Sequence, residues 1–358
     1  MKSLNLNRLV AVLLVMAMLL PCVLIANAAQ ESLPILESEK LALIDVLSEI
    51  EQQKDAWGLG NVDFAELRIG LPIQTYNYVD GLMVSGNAMY PLTVNNQLVL
   101  WAIPVDGQFQ VSGGLVSEIN EAVNADTPFA LIYDSRSAFI YSDGVVSMLK
   151  QYNDVIESRD TLNLNASFTV QGIETVSLSE GKLLGYTSMI SNISRASVNY
   201  ACSVSYVTQQ PYDNLCWAAT VACIVNYVNG TSLDAVTVAK RYYGNTDFDQ
   251  GIGCDNLREK IQDYGLIYYQ YSIGEPFDNK ILSSIIAGYP VGGTFDVVGG
   301  DYHACTIFGI NVIAGRIQVM DPEFGSTTAW FNNDSYTYVS SYTNSTLNLY
   351  SISYDTGN

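Results

Sequence analysis

The chain has one histidine in 358 residues, His303. Any mechanism that needs an imidazole must use it, and a metal centre built on several histidines is excluded. Lys and Arg number 16 against 36 Asp and Glu, a formal charge of −20. The basic face that grips a phosphate backbone is therefore missing, and nucleic acid is not an expected partner. Cysteine is absent between Cys22 and Cys202, and none of the six cysteines stands in a Cys-x-x-Cys pair. That removes the common zinc and dithiol signatures, so no metal and no cofactor is expected. After residue 29 no run is long and apolar enough to span a bilayer.

What is present begins with Lys2 and Arg8, an apolar run from Leu9 to Ile25, and the small residues Ala26-Asn27-Ala28-Ala29. This order matches a signal peptide over 1–29, which predicts an exported, extracellular protein with no stable membrane association after cleavage. Five cysteines then remain: Cys202, Cys216, Cys223, Cys254 and Cys305. An odd number in an exported chain points to one free reactive thiol. The other four either form two disulfides or stay reduced in the core.

The pattern changes along the chain. Leu36, Leu41, Ile44, Leu47 and Ile50 recur at helical spacing. Beyond about residue 66, short alternating segments such as 98–105, 129–133 and 138–141 read as strands, with turn signals at Asp106-Gly107 and Asp143-Gly144. Residues 30–190 are thus expected to form a helix-plus-antiparallel-sheet domain without chemistry of its own. The polar stretch around 187–200 reads as exposed, with 191–200 as a linker and Arg195-Ala196 as a plausible cut. In 201–358 helices come first, at about 216–229, 232–243, 255–264 and 277–287. Strands near 291–298, 302–312, 315–320, 327–331 and 346–353 follow. That order predicts an α+β domain, helices packed on a twisted, mostly antiparallel sheet.

The chemistry-bearing residues lie in this second half. A thiol attacks a carbonyl as thiolate, which a helix N-terminus and a neighbouring imidazolium both favour. Cys216 opens a predicted helix directly after the turn-like Pro211–Leu215 segment. His303, at the start of a strand, is the base. Its other ring nitrogen needs an orienting partner. Asp321 lies 18 residues on, after a strand, a turn at Ala314-Gly315 and a return strand, a hairpin length that brings the two together. Gln210, six residues before Cys216, offers an amide to the oxyanion, beside the Cys216 backbone N–H; Gln209 is set aside on spacing.

The segments QPYDNLCWAAT, DYHACTIFGI and IQVMDP together resemble the papain-like cysteine peptidase superfamily, over roughly 200–355, with small secreted bacterial forms such as streptopain, the staphopains and the bacteriocin-leader peptidases as the nearest likeness. The resemblance implies Gln210 as oxyanion donor, Cys216 as nucleophile, His303 as base and Asp321 as orienter. It implies peptide or protein substrates, and a zymogen whose N-terminal domain is an intramolecular inhibitor. Two features depart from the plant-type pattern. Cys216 and His303 are only 87 residues apart, and the orienter is Asp where many relatives have Asn. Two rival classes share parts of the pattern: a transglutaminase-like acyl transferase, and a non-catalytic exported binding protein on the same fold.

Overall fold

A short helix-forming run followed by alternating segments folds as those periodicities dictate. The computed structural model describes residues 34–79, 82–105, 107–134, 137–151, 173–186, 199–253, 256–272, 278–297, 301–323, 325–332, 335–339 and 346–355. The expected signal peptide, most of the expected linker (191–198), the Arg195-Ala196 cut, Cys254 and the helix-capping Asp255 lie outside them. Among the described residues no helix is long and apolar enough to cross a membrane. The described residues from 36 onward belong to one compact unit.

The N-terminal region opens with α1 (Glu37–Glu51) and continues through β1 (Arg68–Ile69), β2 (Ile73–Val79), β3 (Leu82–Val94), β4 (Gln97–Val105), β5 (Gln108–Ser112), α2 (Val116–Ala122), β6 (Phe129–Tyr133), β7 (Ser137–Ser142), β8 (Val145–Gln151) and β9 (Lys182–Leu183). The strands are mainly antiparallel, with one parallel pairing of β2 with β6. Asp143 and Gly144, both at positive φ, join β7 to β8 as a two-residue hairpin turn requires. The helical stripe differs from its expected membership. Ile44, Leu47 and Ile50 are buried, but Leu36 and Leu41 are exposed, and Leu43, Val46 and Glu49 take their places. A carboxylate enters that stripe because a cation meets it there.

The C-terminal half runs β10 (Asn199–Ala201), α3 (Cys216–Asn229), α4 (Ala235–Tyr243), α5 (Leu257–Gln262), β11 (Tyr269–Ser272), α6 (Asp278–Ile286), then β12 (Val291–Val297), β13 (Asp301–Asn311), β14 (Arg316–Met320), β15 (Thr327–Asn332), β16 (Ser335–Val339) and β17 (Thr346–Tyr354). Each of the last six strands pairs antiparallel with the next, and β17 returns to β12, closing a small barrel. The α+β order expected from the sequence is the order found. Asn199 and Tyr200, placed at the end of the expected linker, instead pair with β13 in β10. Helix α3 is buried continuously from Trp217 to Val225, with Ala218, Ala219 and Ala222 allowing close approach, and it packs on β12 and β13. Gly230 in the left-handed conformation ends it.

The two halves are tied by buried polar contacts. Arg316 on β14 is 2% exposed; its Nε donates to Glu49 Oε2 at 3.0 Å, and its Nη2 reaches Glu49 Oε1 and, at 2.9 Å, Asp45 Oδ2. Asn311 Nδ2 donates to Glu49 Oε1 at 2.6 Å, and Trp57 Nε1 donates to Gln318 Oε1 at 3.2 Å. A Cβ at Gly309, across from Gln318, would come within 3.2 Å of that side chain, so glycine leaves Gln318 its space. The edge of β15 meets β5 at Thr327 and Ser112.

Candidate active site

The register of the β13–β14 hairpin builds the site. Thr306 pairs with Met320, and one step further the ladder sets Cys305 beside Asp321, with His303 as its diagonal neighbour on the same face. Pro322 follows and cannot continue the ladder. His303 Nε2 meets Asp321 Oδ1 at 2.8 Å; the His303 side chain is 2% exposed and that of Asp321 0%. Asp321 also accepts from the Glu323 backbone N–H at 3.0 Å (Oδ1) and from the Tyr338 hydroxyl at 2.7 Å (Oδ2). A buried carboxylate needs such partners to stay ionised.

Helix α3 brings the thiol. Cys216 is its first residue, partly exposed, with no acidic residue in the first turn. The backbone N–H groups of that turn present the positive end of the helix dipole to the sulfur. Cys216 also hydrogen-bonds the His303 ring, and since Asp321 holds Nε2, the nitrogen left for the thiol is Nδ1. Burial by itself would lower the imidazole pKa, but the Asp321 carboxylate and the hydrogen bonds to Asp321 and Cys216 carry it well above its ordinary value. The arrangement favours an imidazolium facing the sulfur.

Trp217 fixes where the helix starts. Its Nε1 donates to the Gln250 carbonyl at 2.8 Å, and its ring packs edge-on against Tyr242 and Tyr243. Asn214 is held one turn earlier by the Asp249 carboxylate, at 3.1 Å to its backbone N–H.

A second thiol lies close. Cys305 Sγ falls with His303 and Asp321 in one buried cluster whose polar atoms are all within 4.8 Å. By sequence Cys305 is one of the four cysteines expected to be reduced in the core or disulfide-bonded, and no spacing marks it as a member of this cluster. Two observations separate it from Cys216. It is completely buried, and that burial, with Asp321 next to it, pushes its pKa up to about 12. Its sulfur also sits 3.7 Å from the Tyr338 hydroxyl, inside the barrel. A thiol held protonated with no access is a poor nucleophile. Cys202, Cys223 and Cys305 are free thiols, each with its pKa raised by burial, to about 11, 12 and 12.

The two adjacent glutamines have opposite environments. Gln209 is 1% exposed, and its Nε2 donates to the carbonyls of Tyr212 and Asp213, both at 3.1 Å, and to Glu323 Oε2 at 3.3 Å. Its backbone N–H donates to the Pro322 carbonyl at 2.9 Å, locking this loop to the turn that carries Asp321. Gln210 Nε2, by contrast, finds no hydrogen-bond partner among the described residues. Gln210 lines a cavity of about 770 Å³ together with Thr208 and Glu323 and, from the N-terminal region, Trp57, Leu115 and Glu118.

A family model described as the papain-like cysteine protease AvrRpt2 matches residues 198–336. No curated protein matches the chain. A papain-like cysteine-protease domain is therefore present, and with the Cys-His-Asp arrangement it makes the chain an enzyme of the cysteine-peptidase type.

Proposed function

We propose that the protein is a secreted cysteine peptidase in which Cys216 is the nucleophile, His303 the base and later the acid, Asp321 the orienter and Gln210 the oxyanion donor. The observation that carries this is the 2.8 Å contact of His303 Nε2 with Asp321, which leaves Nδ1 to a partly exposed thiol at a helix N-terminus. The sulfur attacks the peptide carbonyl, and negative charge moves to the carbonyl oxygen. The Cys216 backbone N–H and the unpartnered Gln210 amide are the donors for it. His303 gives its proton to the leaving amine, a thioester forms, and water attacks with His303 as base. The short Cys–His separation and the aspartate orienter support a likeness to the small secreted bacterial enzymes, the leader-peptidase type included.

The test is incubation with a peptide-like thiol-reactive inhibitor, followed by mass mapping. Label on Cys216 with loss of hydrolysis is expected. Label on Cys305 alone reassigns the nucleophile. Amine-dependent crosslinking without peptide cleavage would favour the transglutaminase-like alternative, and a Cys216 inert to labelling the binding-protein one.

The N-terminal region is proposed to restrain the enzyme as made, with release by a cut within 187–202. Its support is the cavity that Trp57, Leu115 and Glu118 of the N-terminal region line together with Gln210. A second reading, a permanent accessory region, is favoured by Arg316, which loses both carboxylate partners if residues 37–51 depart. Limited proteolysis followed by native size separation decides. Activation with loss of the N-terminal fragment supports the zymogen, and a nicked but associated, equally active species supports the accessory region.

A further inference from the structure

Asp321 is held by more than the histidine it orients. The Tyr338 hydroxyl donates to Oδ2 at 2.7 Å, leaving Oδ1 to His303 and the Glu323 N–H. Tyr338 comes from β16, across the barrel from β13, and is 3% exposed. Its ring stands edge-on to Phe295 at 5.1 Å and 73°, and Phe295 is the β12 partner of His303 in the ladder. The hydroxyl thus has a fixed position, set by the ring that also backs the catalytic strand. A carboxylate turns about its last bond with a broad preference, so one bond to His303 does not by itself fix which oxygen faces the imidazole.

We propose that Tyr338 is a positioning residue: its hydroxyl sets the rotation of the Asp321 carboxylate, and through it the orientation and charge of His303. The groups that face this pair are Cys216 from α3, Cys305 on β13, Tyr338 from β16, Glu323 beside Asp321, and Tyr206, whose hydroxyl donates to the Asp321 carbonyl at 3.2 Å. Of these, Tyr338 contacts the second carboxylate oxygen directly. Its role deepens the peptidase reading, and its principal test is independent of that reading.

Because His303 is the only histidine, a tag-free sample gives one imidazole signal in NMR. In Tyr338→Phe the aligned counter-ion is lost, and the His303 titration midpoint falls by roughly one unit, the size of a common environmental shift. The same substitution in an Asp321→Asn background leaves the midpoint where Asp321→Asn alone puts it. In the kinetic arm, kcat falls with KM unchanged, and the alkaline limb of the rate profile moves to lower pH with the NMR midpoint. A midpoint that stays or rises in Tyr338→Phe means the carboxylate remains aligned without the hydroxyl, and overturns the proposal. If the phenylalanine variant does not fold, 3-fluorotyrosine at 338 keeps the ring and alters the donor. A displaced His303 Nε2–H resonance then supports the proposal, and an unmoved one overturns it. Absence of Cys216-dependent hydrolysis in the wild type removes the peptidase reading while leaving the NMR result to stand or fall by itself.

Discussion

Two buried charge pairs sit on neighbouring strands of the same barrel, Arg316 with Glu49 and His303 with Asp321. In each, both side chains are at most 2% exposed. Arg316 is enclosed: two carboxylates take its donors, and its guanidinium stacks over Trp330 at 4.7 Å. Its charge is permanent, with pKa raised further because Glu49 outweighs the cost of burial. His303 has the same kind of carboxylate partner but keeps one nitrogen for a partly exposed thiol. The difference teaches that a buried pair keeps the capacity for proton transfer through one face left open and a cation that can give up its proton. Closed on every side, the same device fastens one half of the chain to the other.

The sharpest break of the comparison is at its open face. Cys216→Ala and His303→Ala are each expected to reduce peptide hydrolysis to background while the folded circular-dichroism spectrum persists; near-normal turnover in His303→Ala would exclude the mechanism. At the closed pair the effect falls on stability. Glu49→Ala leaves Arg316 buried beside a lost partner, and a loss of about 3–5 kcal/mol is expected from urea unfolding. The folded fraction should keep its kcat. If Glu49→Ala changes kcat at full folding, the seam is coupled to the site and the division of roles drawn above fails.

Much of this was legible from spacing. The Cys216 helix start and the 18-residue hairpin from His303 to Asp321 are local facts, and local facts survive into the fold. The roles of Glu49, Cys305 and Tyr338 were not legible. Glu49 looks like a solvent-facing acid until Arg316, 267 residues away, meets it. Cys305 and Tyr338 converge only when the barrel closes, and no periodicity along one strand records what stands across its interior. The stripe of α1 departs from its hydrophobic pattern for the same reason, since hydrophobicity alone does not reveal a buried carboxylate with a distant partner.

The glutamines give an intermediate effect and separate the two kinds of role side by side. Gln210→Ala removes a donor aimed at no ground-state group, so kcat is expected to fall by about ten- to a thousandfold with unchanged stability. Gln209→Ala removes three donated bonds that close the loop, so a lower unfolding midpoint is expected. Measuring both quantities for both variants tests the assignment. Reversal of the pattern would make Gln209 the oxyanion donor.

The smallest effect is the pH dependence of stability, and it distinguishes the two pairs by the nature of their cations. The Arg316 pair gives no slope near neutrality, because arginine does not titrate there. The His303 pair does. Its folded pKa lies above the ordinary value, so the folded protein holds the proton more tightly than the unfolded chain. The stabilisation is complete below about pH 6.5 and is lost as pH rises through the folded pKa. Cys216→Ala isolates this slope from the thiol while leaving Asp321, the principal source of the upward shift, in place. Adding Asp321→Asn removes the countercharge and leaves burial in control, which favours the neutral ring and reverses the slope: stability is then lost as pH falls. Urea midpoints between about pH 6 and 8 stay below the range where unfolded thiols ionise. Burial, the largest cause of their raised pKa values, keeps Cys202, Cys223 and Cys305 protonated across this range whether or not Asp321 stands beside Cys305. Opposite slopes are expected, and parallel slopes would mean that Asp321 does not hold the charge on His303.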